Sequence, residues 1–185
     1  EAISAAAHEY GLPLFVDGAR LAYGLAAEGN DVTLPDLARL TDAFYIGGTK
    51  CGALIGEALV ITNPDIMPHF FTTMKQQGAI LAKGRLVGIT FEVLMTENRY
   101  VEAGRHGDEL AQLMKKAFIE KGYELYVDTP TNQIFPILDE ATKARLEKDF
   151  VFSNWYHLPD GRWVVRFCTS WATDPEAVAK LIESL

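Results

Sequence analysis

Hydrophobic and polar positions alternate along residues 1–100 in a way that predicts an α/β unit. Apolar side chains recur at helical spacing before Gly11, and Thr33 precedes a second helical stretch as a cap would. Short continuous apolar runs are typical of strands covered on both faces, and we expect this of the run at 14–16. The predicted elements are helices at 3–10, 34–40 and 79–97 and strands at 14–16, 43–46 and 58–62. Strand, helix and strand at this spacing favour a largely parallel sheet.

Near residue 100 the pattern changes to that of a small α+β unit. A helix with an apolar stripe continues to Gly122, which would end it. The elements predicted after it are strands at 123–127, 133–138, 151–156 and 163–168 and helices at 139–149 and from 174 onward. We therefore expect an α/β segment followed by an α+β segment, with the boundary near residue 100.

The first residues predict that the chain is part of a longer polypeptide. It opens inside an amphipathic helix, without an initiating Met and without the pattern of a signal peptide. Our hypothesis is that these 185 residues form a C-terminal portion.

Composition narrows the class of partner. The net charge of −8 and the pI near 5.0 argue against nucleic acid or an anionic membrane, which would favour a basic surface. No apolar run is long enough to span a bilayer. The two cysteines, Cys51 and Cys168, are too few for a disulfide framework, and no Cys/His cluster indicates zinc or another metal. A reducing, cytoplasmic setting fits this composition best.

Two candidate functional residues follow neighbouring strands. Asp17 ends the first strand, where ligands of open α/β sheets bind, although an Asp-Gly turn whose Asp bonds its own backbone is the alternative. Lys50 follows Gly47 and Gly48, and a desolvated lysine amine can attack carbonyl groups. The alternative for Lys50 is an exposed loop residue.

A third candidate, Arg166, lies in the strand at 163–168. Strand alternation places it on the face of Val164 and Cys168, where it is either exposed at an edge or able to bind a carboxylate through two N–H groups. An acid after one strand and a lysine after the next are the groups that pyridoxal phosphate (PLP) chemistry requires. An arginine from a second domain would then bind the carboxylate of an amino acid.

Three segments in this order carry a resemblance: "FVDGARL", "YIGGTKCGALIGEALVI" and "VVRFCTSWATD". They resemble the low-specificity threonine aldolase branch of the β-eliminating lyase family, which belongs to the fold-type I, aspartate-aminotransferase-like PLP enzymes. The resemblance implies an α/β fold in which residues 1–100 are the C-terminal portion of a PLP-binding large domain. Residues 101–185 would be the small α+β C-terminal domain.

The resemblance also implies roles for individual residues. Lys50 is similar to the lysine that forms the Schiff base with PLP, and Asp17 to the partner of the pyridine nitrogen. Arg20 resembles the arginine beside the phenolic oxygen of the cofactor, and Arg166 the arginine that binds the substrate carboxylate. Basic residues that reach the phosphate from a neighbouring subunit are expected in the segment that contains Lys83 and Arg85.

For the complete enzyme the resemblance implies retro-aldol cleavage of a β-hydroxy-α-amino acid, such as threonine or allo-threonine, to glycine and an aldehyde such as acetaldehyde. It also implies a homodimer or homotetramer. The phosphate loop and the ring-stacking histidine of the family are not found in this sequence, so we expect the chain alone to be incomplete as an enzyme. The alternatives are another PLP reaction (β-elimination, transamination or racemisation) and a non-catalytic fragment or interaction module.

Overall fold

The computed structural model describes residues 1–185 and contains two sheets and eight α-helices. The first half comprises α1 (Ala2–Glu9), β1 (Phe15–Val16), α2 (Leu21–Ala26), α3 (Leu34–Leu40), β2 (Ala43–Gly47), β3 (Glu57–Ile61), α4 (Phe70–Gln76) and α5 (Arg85–Met95). The second half comprises α6 (Arg99–Glu120), β4 (Gln133–Ile134), β5 (Ile137–Leu138), α7 (Glu140–Leu146), β6 (Ser153–His157), β7 (Trp163–Cys168) and α8 (Pro175–Glu183). None of the helices is both long and apolar enough to cross a membrane.

The first sheet has the order β1–β2–β3 and is only partly parallel. β1 pairs with β2 in parallel, as predicted, whereas β3 runs antiparallel to β2. The prediction of a largely parallel sheet is wrong for β3 because the loop at 48–56 is too short for the crossover that parallel neighbours require. The loop returns the chain directly alongside β2.

The apolar residues of the first two elements are less buried than their pattern predicts. Phe15 in β1 is 54% exposed, and the stripe of α1 points outward, with Ile3 at 74%. α1 instead packs through polar contacts. Its Ser4 hydroxyl donates to the Leu40 carbonyl over 2.7 Å, and the His8 ring bonds the Asp42 carboxylate over 3.0 Å.

Helix caps in the first half agree with the sequence, whereas two helices were not predicted. Thr33 and Asp36 form a capping box at the start of α3, as the cap at Thr33 predicted. The predicted helix at 79–97 is shorter, since it begins only at Arg85. A kink with positive φ at Glu97 and Asn98 separates it from α6. The helices that the sequence analysis missed, α2 and α4, span six and seven residues, too short for a clear period.

The second sheet is antiparallel and centred on β7, which pairs with β4, β5 and β6. The predicted strand at 163–168 is confirmed, and the one at 133–138 is divided into β4 and β5 by Phe135 and Pro136. The segment at 123–127 is not a strand and makes only an isolated bridge, between Leu125 and Pro136. A proline has no N–H to extend such a ladder.

Buried apolar side chains form two separate clusters. The larger joins α6, α7 and α8 to the second sheet and includes Phe118, Leu138 and Val165, each fully buried. The smaller surrounds Tyr23 and Tyr100 beside the first sheet. The two clusters are connected through α6, and the division of the chain into domains at residue 100 stays a prediction.

Candidate active site

The carboxylate of Asp17 lies at the carboxyl end of β1 and is exposed. Its Oδ1 accepts the backbone N–H of Ala19 over 3.0 Å and the phenolic O–H of Tyr45, while Oδ2 accepts no hydrogen bond. The Tyr45 and Ala19 bonds hold the pKa of Asp17 below its ordinary value, with further lowering by the charges of Lys50 and Arg20. The Asp-Gly turn is therefore present, and it leaves Oδ2 of the ionised carboxylate free to accept a hydrogen bond.

The backbone around Lys50 is bound on both sides by buried tyrosines. The Tyr23 hydroxyl donates to the Lys50 carbonyl over 2.6 Å, and the Tyr100 hydroxyl donates to the Gly47 carbonyl over 2.9 Å. The backbone N–H of Gly48 donates to the Glu57 carboxylate over 2.5 Å. The Lys50 side chain is exposed, and its amine makes no hydrogen bond or ion pair. The loop is thus fixed while the amine stays available.

The two turns that bear Asp17 and Lys50 are in direct backbone contact. Gly47 donates its N–H to the Gly18 carbonyl over 3.0 Å. A Cβ at Gly18 would lie 1.7 Å from the Tyr45 carbonyl oxygen, and one at Gly47 would lie 2.3 Å from the Gly18 carbonyl oxygen. Both positions therefore require glycine, which explains why glycine precedes the lysine and follows the aspartate.

Arg20 lies three residues after Asp17, at the start of α2. Its side chain is half-buried, and its guanidinium makes no hydrogen bond or ion pair in the structure. Since its charge contributes to the lowered pKa of Asp17, the two groups are within electrostatic reach. The structure therefore brings together Asp17, Arg20 and Lys50.

Lys83 and Arg85 are exposed. Lys83 precedes α5 and Arg85 is its first residue, and neither side chain has a hydrogen-bond or ion-pair partner. Later residues of α5 approach the lysine loop, since a Cβ at Gly48 would lie 2.5 Å from the Phe91 ring. The expected role of Lys83 and Arg85 at a phosphate stays a prediction.

Arg166 lies in β7, in the second sheet. Its two terminal nitrogens donate to Gln133 Oε1 and Ser153 Oγ, each over 3.3 Å, and its guanidinium lies 5.0 Å from the centre of the Trp155 ring. No carboxylate pairs with it, and its buried Nε has no acceptor. Trp171, which follows β7, approaches the lysine loop, since a Cβ at Gly52 would lie 3.6 Å from its ring.

Sequence reasoning missed the tyrosines that support the site. The parallel register pairs Val16 with Phe44, so that Tyr45 follows beside Asp17, and this register could have identified it. No sequence feature predicts that Tyr23 and Tyr100 contact the lysine loop, because they reach it from helices distant in sequence.

The residues present fit PLP in two respects. A free carboxylate oxygen at Asp17 can accept the N–H of a protonated pyridine, and the unpaired amine of Lys50 can react with an aldehyde. The unpaired guanidinium of Arg20 is the third charged group there.

A model of the beta-eliminating lyase family matches residues 1–141. Two low-specificity L-threonine aldolases are similar along nearly the whole chain: that of Pseudomonas aeruginosa at 28% identity over 190 residues, and that of a Pseudomonas species at 29% over 183 residues. The chain covers 53% and 52% of these proteins. It therefore spans about half the length of the curated relatives it matches.

Two solved structures are similar to this chain. A threonine aldolase of Leishmania major is 46% identical and superposes with a TM-score of 0.95, over 98% of this chain and 53% of that one. An aspartate aminotransferase of Thermus thermophilus superposes with a TM-score of 0.68 at 17% identity, over all of this chain and 50% of that one. The second likeness concerns the fold alone.

Proposed function

The chain belongs to the beta-eliminating lyase family, and from this premise we propose that it forms the lysine-bearing part of a PLP-dependent enzyme that cleaves β-hydroxy-α-amino acids. The observation that carries the proposal is the pair of free groups on adjacent turns, Asp17 Oδ2 and the Lys50 amine. The threonine aldolases that the chain resembles over its whole length support an aldol cleavage.

In the proposed reaction the Cα–Cβ bond of threonine breaks and yields glycine and acetaldehyde. When bound, PLP supplies the electron sink for the carbanion that remains at Cα. Asp17 would hold the ring N–H because its carboxylate is ionised and keeps one oxygen free. Lys50 would attach the cofactor through its amine, with Arg20 beside it.

Arg166 is proposed to bind the carboxylate of the amino acid. Three of its five N–H groups have no acceptor within the chain, and no acidic side chain neutralises its charge. A charged guanidinium with free N–H groups can bind a carboxylate through bidentate, charge-assisted hydrogen bonds.

We further propose that the working protein is a homodimer or homotetramer in a reducing, cytoplasmic setting. The residues that bind the phosphate would include Lys83 and Arg85 of a neighbouring subunit. Support comes from the exposed, unpaired state of both side chains and from two cysteines that form no disulfide. Sedimentation velocity of the natural full-length protein tests the oligomeric state.

Borohydride reduction in the presence of PLP, followed by peptide mapping, tests the proposed cofactor site. We expect a pyridoxyl group on the peptide that contains Lys50 of the natural full-length protein. Lys50→Ala should remove the modification, whereas Lys121→Ala, at the exposed end of α6, should keep it. An unmodified Lys50 in folded protein would contradict the proposal.

Product analysis tests the reaction. Glycine and acetaldehyde in equal amounts from threonine are expected for aldol cleavage. A keto acid and ammonia would instead indicate β-elimination, which would retain the cofactor site and overturn the proposed bond cleavage.

A further inference from the structure

The strand next to Arg166 contains a β-bulge that places an extra aromatic residue on the arginine's side. In the pairing of β6 with β7, Ser153 lies opposite Arg166, and the register shifts between Asn154 and Tyr156. Trp155 is the extra residue and has no partner on β7. Bulges next to active sites commonly redirect one side chain, and here the redirected side chain reaches the guanidinium.

The Trp155 ring contacts Arg166 face-on and is itself supported. Its centre lies 5.0 Å from the guanidinium carbon, within the range of a cation–π interaction. Phe135 packs against the ring at a centroid distance of 5.4 Å and an angle of 65°. The orientation of the tryptophan is therefore fixed by a neighbour from the connection between β4 and β5.

The other contacts of Arg166 restrict the guanidinium within its own plane. Gln133 accepts from one terminal nitrogen and Ser153 from the other, each at 3.3 Å. Both acceptors are neutral, so the positive charge is retained. Trp155 is the aromatic contact of the same guanidinium, whose Nε–H is buried without an acceptor.

We propose that Trp155 is a positioning residue for the reaction, one that orients Arg166 to receive the carboxylate of the amino-acid substrate. This inference rests on the proposed function, since it takes Arg166 as the carboxylate-binding group. A long flexible side chain held in one orientation before binding loses less conformational freedom when the substrate arrives. Trp155 thereby acts on substrate affinity through Arg166 and not on the breaking bond.

Steady-state kinetics of the natural full-length protein give the first test. Trp155→Leu is expected to raise KM for threonine about two- to fivefold, as the loss of a cation–π contact at a half-exposed ring implies, with kcat unchanged. Trp155→Phe, which retains a ring, should restore most of the affinity. The matched control is Tyr156→Leu, which removes an equally exposed ring of β6 that contacts Tyr126 instead.

Hydrogen exchange at the Arg166 Nε–H, followed by NMR of the same protein without cofactor, gives a test independent of catalysis. Trp155→Leu should accelerate exchange about tenfold or more, while Trp155→Phe and Tyr156→Leu leave it near the wild-type rate. Unchanged exchange and unchanged KM in Trp155→Leu would overturn the inference. Accelerated exchange in a protein that does not cleave threonine would instead sustain the contact and refute the proposed function. Circular dichroism confirms that each variant is folded.

Discussion

Tyr45 donates its phenolic O–H to the same carboxylate oxygen of Asp17 that closes the Asp-Gly turn. Two donors on Oδ1 fix the plane of the carboxylate and leave Oδ2 directed away from the turn's own hydrogen bonds. The bond also raises the pKa of Tyr45 to about 12, so the phenol stays protonated and continues to donate at neutral pH. The sheet itself therefore orients the aspartate.

Replacing Tyr45 with Phe should weaken cofactor binding without abolishing it. The loss of one hydrogen bond to a charged group, about 1 kcal/mol at an exposed site, corresponds to about a fivefold higher Kd for PLP. NMR titration should show the pKa of Asp17 rising toward its ordinary value, because the largest cause of its lowering is removed. Tyr10→Phe, at an exposed ring without hydrogen bonds, is the control. An unchanged Kd in Tyr45→Phe would contradict this role.

Gly47→Ala should destabilise the fold. The added Cβ would lie 2.3 Å from the Gly18 carbonyl oxygen and 2.6 Å from that of Ala19, and neither backbone atom can move freely. We expect a loss of at least about 2 kcal/mol in the free energy of unfolding, measured by urea denaturation. Gly88→Ala, within α5 and with open space around it, should gain about 0.5–1 kcal/mol. Equal stability of the two variants would argue against the close contact of the turns.

Tyr100→Phe tests the hydrogen bond that connects α6 to the lysine loop. The Tyr100 ring is buried, and its hydroxyl is a donor to the Gly47 carbonyl, which the variant leaves without that donor. A cost of about 1–2 kcal/mol in the free energy of unfolding is expected. Hydrogen exchange of the backbone at 47–53 should accelerate in the variant, while exchange in β7 stays unchanged. Uniform acceleration throughout the chain would indicate a general loss of stability instead.

Asp108 makes stability depend on pH. Neither of its carboxylate oxygens has a hydrogen bond, and burial raises its pKa to about 7, although the nearby Asn132 N–H and Arg105 partly oppose this. The folded chain then binds a proton more tightly than the unfolded chain does. The contribution of Asp108 to stability is therefore fully present below pH 3.8 and is lost as the pH rises to about 7.

Asp108→Asn should remove this dependence. Because the amide is never charged, we expect the variant to be more stable than the wild type by about 2 kcal/mol at pH 8 and to gain much less at pH 4. Urea denaturation at the two pH values measures the difference. A variant that is less stable than the wild type at pH 8 would show that the carboxylate has a partner in solution.

The parts of the site that the sequence predicted are those determined locally. Asp17 and Lys50 follow strands and adjoin glycines, and each of these features lies within a few residues. The hydrogen bonds from Tyr23 and Tyr100 depend on helix packing between segments distant in sequence. No hydrophobic periodicity in a single sequence predicts such contacts. Phe15 is exposed although its apolar run predicts burial, because such a run does not reveal which elements cover it.

The direction of β3 and the face of α1 show two further limits. The short loop at 48–56 contained enough information to predict an antiparallel return, and the rule on crossover length would have identified it. The sequence does not predict how α1 packs, because Ser4 and His8 bind polar groups while the apolar stripe points outward. A pattern based on hydrophobicity cannot detect an interface that is made of hydrogen bonds.

The main-chain bond between Gly47 and Gly18 has a consequence for how this scaffold can vary. The separation of the two turns that bear Asp17 and Lys50 is determined by two peptide groups, which any substitution elsewhere leaves chemically unchanged. Side chains around the pair are therefore free to diverge and to select other substrates while the two reactive positions keep their spacing. A fixed backbone contact surrounded by replaceable side chains is the condition under which one fold can acquire many related specificities.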